Sequence, residues 1–64
     1  MLESYKTMDI NMLFSIVNMK LRNEPEDLDG FCLRYQIDQD ILVQRLSQQK
    51  LTYDPVHKQF KPSV

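Results

Sequence analysis

Between Leu28 and Leu46 the apolar residues take the spacing of a helix-turn-helix unit, and this limits what the chain can become. Leu28, Phe31, Cys32 and Tyr35 form one stripe of a short helix, because residues three, four and seven positions apart share a helical face. Ile37 sits in a tight turn, Asp38 is placed to cap a second helix, and Leu42 and Leu46 face back toward the first. Two short helices crossing through such a turn need a third to complete a core. The segment before Leu28 supplies it.

That segment predicts a helix over about 10–22. Asp9 can accept the free amide hydrogens of the first turn, and Met8 with Leu13 has the spacing of a hydrophobic staple. Ile10, Leu13, Phe14, Val17 and Leu21 make the face that should be buried. Asn11, Ser15, Asn18 and Arg22 form a narrow polar stripe, and Met12, Ile16 and Met19 a second apolar flank beyond what a one-sided helix requires. Asn23-Glu24-Pro25-Glu26 then breaks the pattern, since proline disfavours helical geometry in the residue before it.

Asp27 caps the second helix, expected over about 28–36, with Gly30 inside it. The third is expected over about 39–49, where Ile37 and Leu42 repeat the staple. Gln36 holds the turn position usually given to glycine, which needs a left-handed backbone there. From Leu51 the period alternates, and Asp54-Pro55-Val56-His57 suits a turn, so a hairpin is expected over about 51–60. Pairing Tyr53 with Lys58 sets Leu51 opposite Phe60 and gives one apolar face, while Pro62-Ser63-Val64 should fray. A two-stranded hairpin alone is marginal in water and must lie on the helices. The expected fold is therefore mostly α: three short helices, the second and third helix-turn-helix-like, plus a C-terminal β-hairpin, in one domain over 1–64.

A chain of 64 residues buries only ~60% of its unfolded surface, so its stability margin is thin and oligomerisation is a common remedy. One cysteine allows no internal disulfide, which points to a cytoplasmic rather than a secreted protein. No apolar run approaches the ~20 residues of a membrane span, and the first residues lack the order of a signal peptide. The net charge of −1 is unevenly spread, with −5 over residues 23–40 and +3 over residues 41–64. The chain is not broadly basic, which weakens a nucleic-acid reading.

The whole chain resembles a group of small bacterial proteins of about sixty residues, the family designated domain of unknown function 4250. The resemblance rests on Met12-Leu13-Phe14-Ser15-Ile16-Val17-Asn18-Met19-Lys20-Leu21-Arg22, then Leu28 with Phe31-Cys32, Ile37-Asp38, Tyr53-Asp54 and Gln59-Phe60. Ser15 through Arg22 is its most specific part. The chain departs from the family pattern at Gln49-Lys50-Leu51, where a glycine followed by an aromatic is expected. The resemblance supports the fold and implies no activity.

Four constellations of residues bear on chemistry. In a helix-turn-helix the second helix enters the major groove. Gln39, Asp40, Val43, Gln44 and Ser47 would face it, with Gln39 and Gln44 able to read adenine edges and Lys50, Lys58, Lys61 and His57 touching phosphates as a wing. Asp38 and Asp40 would meet phosphates badly, and so few cations would bind weakly. The Met12, Ile16 and Met19 flank is either an interface, since methionine adapts to irregular partners, or a strip covered by the hairpin through Leu51, Tyr53 and Phe60. Asp27-Leu28-Asp29-Gly30 fails as a calcium loop, because that frame puts Pro25 and Gln36 where carboxylates are required. Cys32 reads as a buried small hydrophobe and His57 as a solvated turn residue, and a nucleophile would need the two together.

The sequence thus leads us to expect a non-enzymatic protein-interaction or self-associating module without cofactor, metal or small-molecule ligand. Met12, Ile16 and Met19 are the expected contact residues, and the partner is a second copy (a homodimer) or another protein, not a membrane. The alternative is a small winged-helix-like DNA-binding protein using Gln39, Gln44, Ser47, Lys50, Lys58 and Lys61.

Overall fold

Each of the three helices begins at an aspartate whose carboxylate takes up amide hydrogens that have no partner in the first turn. The computed structural model describes residues 2–63 and places α1 at Ile10–Asn23, α2 at Leu28–Arg34 and α3 at Gln39–Ser47. Asp9 accepts from the Met12 amide at 3.1 Å, Asp27 from Gly30 at 3.2 Å, and Asp38 from Asp40 and Ile41 at 3.0 and 3.3 Å. The helix starts fall where the sequence puts them. α2 and α3 each end two residues earlier than expected, and α1 runs one residue further.

The ends have a common cause in backbone handedness. Gln36 is left-handed, with φ 56°. The Ile37 amide bonds back to the Cys32 carbonyl at 2.8 Å and the Gln36 amide to Leu33 at 3.3 Å. These two bonds make a Schellman closure of α2, with Ile37 as its apolar residue just past the end. Lys50, at φ 58°, turns the chain from α3 into the hairpin. It lies within Gln49-Lys50-Leu51, the stretch that lacks the glycine expected from the resemblance.

The core is shared by all the elements. Leu13, Val17 and Leu21 from α1, Leu28, Phe31 and Cys32 from α2, and Leu42 and Leu46 from α3 form one cluster with Ile37. Leu51 and Phe60 close it from the hairpin, while Ile10, Phe14 and Met8 pack half-buried at its margin. The sequence reading missed the contribution of the N-terminal segment. A 3-10 turn at Leu2–Ser4 sets Leu2 and Tyr5 into the core. The Tyr5 hydroxyl accepts from the Asp38 amide at 2.9 Å, and its carbonyl accepts from Arg45 at 2.8 Å, so this segment clamps both ends of α3.

The hairpin consists of β1 (Leu51–Asp54) and β2 (Gln59–Pro62), paired antiparallel. Its register corrects the expected one. Tyr53 pairs with Phe60 and Leu51 with Pro62, two residues from the expected pairing, because the four-residue loop runs over 55–58 rather than 54–57, with Lys58 left-handed at φ 54°. A two-residue slip keeps every side chain on its face, so Leu51, Tyr53 and Phe60 still line the apolar side. Pro62 and Ser63 do not fray: Pro62 ends β2, and Ser63 donates its amide to the Lys50 carbonyl at 2.7 Å. Val64 lies outside the described residues.

Asn18 joins this hairpin to α1. Its side-chain amide donates to the Phe60 carbonyl at 3.0 Å and accepts from the Phe60 amide at 2.7 Å, as a neighbouring strand would. Gln59 returns a bond to the Asn18 carbonyl at 3.0 Å, and Arg22 reaches Gln59 at 3.5 Å. The polar stripe of α1 is therefore partly a docking rail for β2.

Candidate interaction surfaces

Because the hairpin docks along the Asn18 and Arg22 side of α1, it leaves the methionine flank uncovered. Met12 and Met19 keep 55% and 50% of their surface in solvent, and Ile16 between them is half-buried against the core. The flank thus joins two exposed, flexible thioether side chains to an anchored aliphatic one. Further apolar exposure comes from Leu33 on α2 and Val56 on the hairpin loop.

On the outer side of α3, Gln39, Asp40, Val43, Gln44 and Ser47 line a shallow open groove. The Ser47 hydroxyl is turned back onto its own helix, donating to the Gln44 carbonyl at 2.8 Å. Of the three hairpin lysines, Lys50 is exposed, while Lys58 donates to the Glu24 carbonyl at 2.8 Å. Lys61 stands 3.2 Å from Asp54, whose carboxylate also meets His57 Nδ1 at 2.7 Å. His57, then Lys61 and the loop amides of Val56 and His57, hold the Asp54 carboxyl well below the usual carboxylate range.

The acidic segment is largely paired. Arg34 lies 2.8 Å from Glu26 and 3.7 Å from Glu24, and Glu26 above all raises the guanidinium pKa further. The Tyr35 hydroxyl donates to Glu24, and the Lys20 ammonium stands 5.1 Å from the Tyr35 ring centre. Asp27 and Asp38 are spent on caps, and Asp29 lies in the first turn of α2, where a negative charge is favourable. Among the described residues, no group of three or more His, Cys, Asp or Glu is placed to hold a metal ion. Cys32 is 3% exposed, and burial, then Asp29 and Asp38, push its thiol up to about 11. It is therefore a neutral thiol at physiological pH, whereas a nucleophile acts as the thiolate.

Sequence reasoning missed Asn18 as a docking residue and Tyr5 as a clamp. Arg22, read as part of the polar stripe, also reaches the hairpin through Gln59. The available signal was slight: Asn18 is one of two amides on a stripe where any polar residue would satisfy solvent.

Fold and surface together define a small three-helix domain closed by a β-hairpin. The chain belongs to the family called domain of unknown function (DUF4250), whose model matches residues 7–60. No curated protein and no solved structure matches it. No helix among the described residues is long and apolar enough to cross a membrane.

Proposed function

We propose that the protein is a non-enzymatic interaction module that presents the Met12–Met19 flank of α1 to another protein. The supporting observation is the exposure of Met12 and Met19, at 55% and 50%, beside an Ile16 anchored in the core. Adaptable methionines on a fixed helix suit an amphipathic partner helix laid along α1. DNA binding by α3 has less support: Lys58 and Lys61 are drawn into internal contacts, and Asp40 lines the groove that phosphates would approach.

A benzoylphenylalanine cross-linker at Met12 or Met19, in cells that make the protein, is expected to give a discrete adduct. The same label at the exposed Asn11 should give none. Indistinguishable patterns from all three positions would overturn the reading. A duplex-DNA titration that moves the amides of Gln39–Ser47 and reverses with salt would transfer the function to α3.

A further inference from the structure

The two edges of the hairpin are finished differently. In an antiparallel pair the backbone groups of a residue point alternately into and out of the ladder. Phe60 gives both of its groups to Asn18, so the Tyr53–Phe60 pair is one whose N–H and C=O groups point outward. On β2 this outward edge is closed, by the Asn18 amide at Phe60 and by Pro62, which has no N–H to offer. On β1 the corresponding outward groups belong to Leu51 and Tyr53, and no backbone or side-chain partner satisfies them among the described residues. Natural edges are commonly blunted by proline, an inward-pointing charge or a bulge. Leu51-Thr52-Tyr53 has none of these.

We propose that β1 is a self-pairing edge, on which a second copy of this chain adds its own β1 antiparallel about a two-fold axis at Thr52. The register is dictated by which groups are free. Leu51 must pair with Tyr53 of the other copy, because only these two residues point N–H and C=O outward, and the symmetry repeats the pair to give four backbone hydrogen bonds. Thr52, exposed on the outer face, then meets its own image, a favourable cross-strand pair. The flanking charges fit the same register. Lys50, exposed and without an ion-pair partner among the described residues, comes near Asp54 of the other copy. Because directly opposed residues share a face, both sets of Leu51 and Tyr53 stay on the apolar side, and the two cores join under one four-stranded sheet. The methionine flanks lie elsewhere and remain free, so the dimer would be bivalent toward a partner.

Thr52 is exposed, so its replacement tests the contact without disturbing the core. The wild-type chain is expected to sediment at twice its 7.7 kDa mass at high concentration. Thr52→Lys and Thr52→Glu should each set like charges face to face at the axis and weaken dimerisation by about tenfold or more. An equimolar mixture of the two variants should restore the dimer. Amide exchange gives a second reading: Leu51 and Tyr53 should become protected as wild-type concentration rises, and stay fast in Thr52→Lys. A wild-type chain that remains at 7.7 kDa at millimolar concentration overturns the proposal. A dimer that survives Thr52→Lys also overturns it, as does a mixture that fails to reassociate. Met12→Glu with Met19→Glu should leave this dimer intact, which separates it from the flank on α1.

Discussion

At the scale of single residues, the most consequential side chain is one that composition would assign to solvent. Asn18 supplies both the donor and the acceptor that Phe60 needs on its outward edge, at 3.0 and 2.7 Å. An alanine there leaves two partly buried backbone groups without partners, so Asn18→Ala should cost about 2 kcal/mol in urea unfolding. Faster exchange of the Phe60 amide should accompany the loss. Gln36 presents the opposite case, a side chain that opposes its own backbone. It is held left-handed at φ 56° by the two closing bonds of α2. A Cβ is disfavoured in that conformation, so Gln36→Gly should raise stability by about 0.5–1 kcal/mol. A Tm that falls instead would show that the glutamine makes compensating contacts.

At the scale of elements, α2 shows how local preference is overruled by a neighbour. Glycine inside a helix usually loses about 1 kcal/mol to alanine, and on that ground Gly30→Ala would stabilise α2. A Cβ at Gly30, however, would stand 2.8 Å from Glu26 Cβ and 3.0 Å from its Cγ, and Arg34 holds that glutamate in place at 2.8 Å. Gly30→Ala should therefore destabilise, and the sign should reverse in a Glu26→Gly background, which removes the obstructing atoms. This contrast also explains what the sequence revealed. Helix starts at Asp9, Asp27 and Asp38 were legible because a cap is decided within three residues. The hairpin register was not, because it depends on Lys58 turning left-handed, and neither was the N-terminal clamp, because Tyr5 meets Asp38 across 33 residues. The hairpin loop carries its own pH dependence. Asp54 has its pKa depressed in the folded state by His57 and Lys61, so its contribution is complete above the ordinary carboxylate range and is lost as pH falls through and below it. Asp54→Asn keeps an oxygen for the loop amides but loses the charge. Its unfolding midpoint should consequently fall less than the wild type's between neutral and acid pH.

At the scale of the whole molecule, every element gives residues to one small core, so the boundary between core and interface decides what the surface is free to do. The flank on α1 was readable as apolar but not as exposed, since only the route of the hairpin determines whether it is covered. The hairpin takes the Asn18 side, and this leaves Met12 and Met19 half in solvent while Ile16 packs inward. The three residues should then separate in a stability measurement. Ile16→Glu sets a carboxylate against the core and should cost about 2 kcal/mol or more, so a loss of binding in that variant would reflect unfolding as much as a broken interface. Met12→Glu with Met19→Glu should change the urea midpoint by no more than about 0.5 kcal/mol equivalent, and still abolish co-purification of the protein that the label at Met12 or Met19 captures. A double variant that instead melts with Ile16→Glu would place all three residues in the core and leave the β1 edge as the remaining route to a partner.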